Sequence, residues 1–123
     1  MPGIERTPSE LPLPFSKAVR AGGFLFLSGQ IPLDASGAPL RGTIEEQTAS
    51  VIEGIAASLA QQGSRLEDVV RVTVWLSDLA LFARFNAVYA GYFRAPHLPV
   101  RSTVQAKLAF DVDVEIEVTA YCA

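Results

Sequence analysis

The sequence predicts an α+β fold: one domain with a mostly antiparallel sheet and two helices packed on one face of it. Three observations predict this. Two segments space their apolar residues helically, one at Val51, Ile52, Ile55, Ala56 and Leu59, the other at Phe82, Phe85, Tyr89 and Phe93. Other segments alternate apolar and polar residues with period 2, most clearly Val112, Val114, Ile116, Val118 and Ala120 against Asp113, Glu115, Glu117, Thr119 and Tyr121. The order strand, strand, helix, strand, helix, strand, strand sets two helices against several strands, which bury their apolar faces as a helix layer on a sheet.

Residues 1–14 carry Pro2, Pro8, Pro12 and Pro14 and read as an extended lead-in to the single domain 1–123. A short strand is expected at Ser16–Arg20 and a turn at Gly22-Gly23. Phe24-Leu25-Phe26-Leu27 is continuously apolar, which predicts a strand covered on both faces. It runs into Ser28-Gly29-Gln30-Ile31-Pro32, where a glycine permits a tight turn or close approach to a ligand. Residues 33–42 form a loop. Thr43 and Glu46 have the spacing of a capping box, and Gly63 is a stop signal, so a helix is expected over about 44 to 62.

Leu66–Val69 reads as a connector. The next strand sets Val70, Val72, Val74 and Leu76 against Arg71, Thr73, Trp75 and Ser77. Asp78 can cap the second helix, whose stripe also includes Asn86 and which Pro96 ends. A further strand starts near Leu98, with Val100, Ser102, Val104 and Ala106 on one face and Arg101, Thr103 and Gln105 on the other. Taking the first set as core-facing leaves Arg101, Glu115 and Glu117 together on the non-core face of one sheet. An arginine grips a carboxylate through two parallel hydrogen bonds, so this grouping suits a small anionic substrate. The same grouping also fits an ordinary surface ion pair. The non-core face holds Arg71, Thr73 and Trp75 as well, and a symmetric oligomer would cover it.

Composition excludes several classes. Half of the 123 residues are apolar and 19% are charged, the balance of a globular domain rather than a disordered chain. The net charge of −3, with no Lys/Arg run, argues against a nucleic-acid backbone as partner. No apolar run is long enough to span a bilayer, and no basic-then-apolar leader opens the chain, so a cytoplasmic protein is expected. The single cysteine, Cys122, has no internal partner and reads as a small apolar strand-end residue. His97, the only histidine, lies between Pro96 and Pro99 with nothing nearby to orient it as a base.

Ser28-Gly29-Gln30-Ile31-Pro32, the region around Gln47, Val72–Leu79, the helix with Asn86, Tyr89 and Phe93, Pro99-Val100-Arg101-Ser102 and Val114-Glu115-Ile116-Glu117 together resemble the RidA/YjgF family, in the same order over roughly residues 14 to 121. The resemblance implies a chorismate-mutase-like α+β domain, a homotrimer whose sheets line a central barrel, and pockets between subunits. It implies hydrolysis of reactive 2-imino and enamine acids, such as 2-aminoacrylate and 2-iminopropionate, to 2-keto acids and ammonia, with no cofactor and no metal. Carried over, Arg101 holds the substrate carboxylate with the Gly29 N–H, Glu115 positions or activates water, and Ser28 and Asn86 shape the pocket. Glu117 shares the face of Glu115, and only the alignment chooses between them.

Phe15 stands where the family usually has tyrosine, and Thr103 where cysteine is usual. The first removes a pocket hydroxyl and the second removes thiol chemistry, which points to a subgroup neighbouring RidA and to a bulkier or more apolar substrate. The alternatives left open are a non-catalytic small-carboxylate-binding or regulatory module and a catabolic deaminase of aminomuconate type. A ribonuclease fits least, given the negative charge and the lack of a histidine pair.

Overall fold

The computed structural model describes residues 3–122. Six strands form one sheet in the order β1-β2-β3-β6-β4-β5: β1 Glu5–Pro8, β2 Ser16–Ala21, β3 Phe24–Leu27, β4 Val69–Leu76, β5 Val100–Gln105 and β6 Val114–Tyr121. Helices α1 (Ile44–Gln61) and α2 (Phe82–Tyr92) cover one face. Every pairing is antiparallel except β4 with β5.

Helix α1 follows from its ends and its stripe. The Glu46 N–H donates to Thr43 Oγ1 at 3.1 Å and the Thr43 N–H to Glu46 Oε1 at 2.9 Å, which closes the expected capping box. Gly63 takes φ +76° beyond the other end, a left-handed conformation that costs glycine little. Arg20 of β2 donates to the Gln62 carbonyl at 2.7 Å and satisfies a terminal acceptor. Val51, Ile52, Ile55 and Leu59 are buried against Leu25, Leu27, Val114, Ile116 and Val118 of the sheet. Asp78 accepts from the Ala80 N–H at 2.8 Å and caps a short 3-10 turn, Leu79–Leu81, that leads into α2. Arg84 of α2 grips Glu45 of α1 through Nε at 2.8 Å and Nη2 at 2.7 Å, holding that carboxyl down at about 2.

Among the buried polar residues, one links α1 to the strand region before β6. Gln47 is 2% exposed; its amide nitrogen donates to the Gly42 carbonyl at 3.0 Å and to Asp113 at 3.1 Å, and its oxygen accepts from the Asp113 N–H at 2.8 Å. The Ser77 hydroxyl donates to the same carboxylate at 2.6 Å. This network ties α1 to the turn before β6. Gln47→Ala strips the half-buried Asp113 N–H of its acceptor and should cost about 1–3 kcal/mol in a denaturant titration.

Three expectations are corrected. The proline-rich lead-in contains β1, an edge strand paired with β2; its proline falls at the last position, Pro8, where the register shifts and no ladder N–H is needed. The inward valine at the start of β4 is Val69 rather than Val70, because a bulge between Val69 and Arg71 turns Val70 outward, 41% exposed. The run Phe24–Leu27 is covered on one face only. Leu25 and Leu27 are buried, whereas Phe24 and Phe26 are 41% and 45% exposed on the open face beside Tyr121. That face carries Trp75, Val100 and Val104 as well, so it is more apolar than the pattern implied.

Candidate active site

The direction of β5 decides where Arg101 points. Because β5 runs parallel to β4, Arg101 pairs with Val72 and Thr103 with Val74, and register partners share a face. Val72 and Val74 are fully buried under the helices. Arg101 therefore rises on the helix side, with its guanidinium carbon 4.7 Å from the Tyr89 ring centre, 5.5 Å from Phe85 and 5.6 Å from Phe82. Thr103 lies half-buried on the same side. Asn86 occupies the same α2 stripe, between Phe82 and Tyr89, half-buried and without a side-chain hydrogen bond among the described residues. This arrangement is a first candidate half-site: Arg101 on an aromatic bed, flanked by Asn86 and Thr103. The guanidinium has no carboxylate partner, since the ion pairs among the described residues are Lys17–Glu10 and Arg84–Glu45.

Glu115 lies on the opposite face. It pairs with Trp75, and Glu117 pairs with Thr73, both on the open side. A second set of segments meets there. The Ser28 hydroxyl donates to the Ser16 carbonyl at 2.6 Å, which brings the end of β3 against the residue after Phe15. Gln30 and Ile116 exchange both backbone hydrogen bonds, at 2.8 and 3.0 Å, which lays Gly29 over Glu115. A methyl group at Gly29 would press on Glu115 Oε2, with Cδ 3.3 Å away, so a larger residue there would push the Glu115 carboxylate aside. The Gly29 N–H makes no hydrogen bond among the described residues, and Phe15 is 51% exposed beside it. Burial first, and then the charge of Glu117, raises the Glu115 carboxyl above its ordinary value near 4.5. Phe15, Ser28, Gly29 and Glu115 form a second candidate half-site.

The expectation that Arg101 faces Glu115 across one sheet surface is thereby corrected. Within one chain the two project from opposite faces. They also sit three residues apart along β4, at Val72 and Trp75, or roughly 10 Å of strand. The alternation in β5 was right, but its apolar set, Val100 and Val104, turns to the open face, 61% and 42% exposed. The aromatic bed itself was read only as a core stripe. The signal for it was a tyrosine among phenylalanines, on a helix whose following strand had to return parallel.

Other candidates stay apart from both half-sites. His97 lies exposed in a turn, its N–H bonded to the Arg94 carbonyl at 2.9 Å, and lines a cavity of about 340 Å³ with Glu67, Tyr92 and Arg94. A larger cavity of about 460 Å³ lies between Ser77, Gln105, Lys107, Asp111 and Asp113. Neither cavity contains a predicted site residue. Among the described residues, no three His, Cys, Asp or Glu side chains gather as a metal site, and no helix is long and apolar enough to cross a membrane.

The fold recurs in known proteins. The chain is 46% identical over 110 residues to a RutC family protein of Pyrococcus horikoshii, covering 88% of this chain and 86% of that one. Its structure superimposes on a YjgF-family member from Neisseria meningitidis with a TM-score of 0.86 at 34% identity, over 98% of this chain and 95% of the other. RidA from an Antarctic Psychrobacter gives a TM-score of 0.84 at 34% identity, over 94% of each chain. The family model described as Endoribonuclease L-PSP matches residues 8–122, and the chain belongs to that family, the YjgF/RidA family.

Proposed function

We propose that the protein hydrolyses 2-imino and enamine acids to 2-keto acids and ammonia, at sites completed between copies of the chain in a homotrimer. One observation carries this reading: each half-site lacks what the other offers. Among the described residues Arg101 has no anion and Glu115 has no cation, and the two face opposite ways. A neighbouring copy that covers the open face would bring its own half-site to the other, and would also bury the exposed Phe24, Phe26 and Val104.

The chemistry asks for little equipment. Arg101 takes the substrate carboxylate in a two-point grip, with the Gly29 N–H as an added donor. The iminium carbon is already electrophilic, so orientation supplies much of the rate. Water attacks that carbon, its lost proton passes to Glu115, and a carbinolamine forms. The protonated Glu115 then gives its proton to the amine nitrogen, the C–N bond breaks with its electron pair leaving on nitrogen, and the hydroxyl oxygen closes the keto C=O as its proton passes back to Glu115 and on to the departing ammonia. A carboxyl raised by burial is suited to both transfers. Phe15 adds an apolar wall, which favours a substrate with an apolar side chain.

The test is a coupled assay in which an amino acid oxidase generates the imino acid and semicarbazide traps it. The proposal predicts loss of the semicarbazone signal, with leucine- and phenylalanine-derived imines consumed at least as fast as the alanine-derived one. An unchanged signal for every imine contradicts it. The second reading, a carboxylate-binding module in the same cleft, is supported by the same unpaired Arg101 and predicts 2-keto acid binding without turnover.

A further inference from the structure

Tyr89 is 7% exposed, and its hydroxyl is fully buried with no hydrogen-bond partner among the described residues. A buried polar group without a partner is costly to keep, and phenylalanine would fill the same space without that cost. The ring is held firmly, stacked on Phe93 at 4.5 Å and tilted against Phe85 at 5.5 Å. Among the described residues, the cation against it is Arg101, whose guanidinium lies 4.7 Å from the ring centre.

Over the three rings that guanidinium is attracted to their faces, which constrains its height more than its rotation, and it lies close enough to Tyr89 to act on the phenol. A two-point grip on a carboxylate needs a fixed rotation and occupies one edge of the fork, leaving further N–H groups on the other edges in need of acceptors. We propose that Tyr89 is a positioning residue for Arg101: its hydroxyl accepts an N–H from the guanidinium when the carboxylate is gripped, and locks the fork in register. Burial raises the phenol above its usual range, so the group stays neutral and never competes with the substrate as an anion. The inference rests on the assignment of Arg101 to the substrate carboxylate but not on hydrolysis itself.

The experiment measures pyruvate binding by calorimetry and imine hydrolysis by the coupled assay, for wild type, Tyr89→Phe, Arg101→Lys and the double variant. Tyr89→Phe should unfold at the same temperature or higher, because the lost hydroxyl had no partner. It should bind pyruvate about five- to tenfold more weakly and raise KM by a like factor, as expected for one hydrogen bond, with kcat nearly unchanged. In the Arg101→Lys background, which lacks the fork, the same change should have no further effect. Wild-type binding and KM in Tyr89→Phe overturn the inference, as does an equal loss in both backgrounds, which marks a structural defect. Should wild type bind pyruvate without hydrolysing imines, the hydrolytic reading fails and the binding cycle still decides on Tyr89. Should wild type bind no pyruvate, the carboxylate assignment fails and this inference falls with it.

Discussion

Arg101→Ala is expected to abolish imine hydrolysis, with kcat/KM falling by roughly 100- to 1,000-fold, the worth of two charge-assisted hydrogen bonds. The fold should survive. Arg101 is only half-buried at the edge of the sheet and makes no ion pair among the described residues, so the expected loss is its packing on Phe82, Phe85 and Tyr89, at most about 1 kcal/mol. Thermal unfolding and sizing of the variant separate a lost site from a lost structure. Retained activity in a folded Arg101→Ala protein removes the site assignment.

Glu115→Gln carries the second large effect. The amide keeps the size and loses the base, so kcat should fall by roughly 100- to 10,000-fold while pyruvate binding stays near wild type. The same change should stabilise the fold at neutral pH, for a reason with a definite sign. The Glu115 carboxyl is raised above its ordinary value near 4.5, so the folded chain bears a cost for keeping it ionised. That cost is fully present above the raised folded value. It disappears as pH falls through that value toward 4.5, because the folded state then takes up its proton before the unfolded state does. The stability advantage of Glu115→Gln should therefore shrink on acidification over that window, and wild-type turnover should decline over the same window as the base is protonated. Loss of pyruvate binding in Glu115→Gln contradicts the water-activating role.

Much of the architecture could be read directly from the residues, where short-range chemistry decides it. The Thr43–Glu46 box and Gly63 bound α1 to within a residue, and the alternation from Val114 to Tyr121 gives β6 and its faces correctly. What was not legible depends on partners remote in sequence. Alternation in β5 separates Arg101 from Val100, but only the parallel pairing with β4 says which of them turns toward the helices. A helix lying between two strands of one sheet calls for a parallel return, and that signal outranks the apolarity of Val100 and Val104. Strand β1 escaped because Pro8 marks the end of an edge strand rather than the absence of one. The membership of the site was drawn from motifs, and its division into two half-sites emerges only from the sheet.

In the proposed trimer, Arg101 of one copy serves Glu115 of another. The most direct measurement mixes the two inactive variants. Arg101→Ala and Glu115→Gln proteins are unfolded together in equal amounts, refolded, and assayed for imine hydrolysis. If the site is shared, each mixed trimer contains one interface where an intact arginine meets an intact glutamate, and the mixture should recover about a quarter of the wild-type rate. If the two residues serve one site from the same chain, no assortment restores it, and the mixture should stay as inactive as its parts.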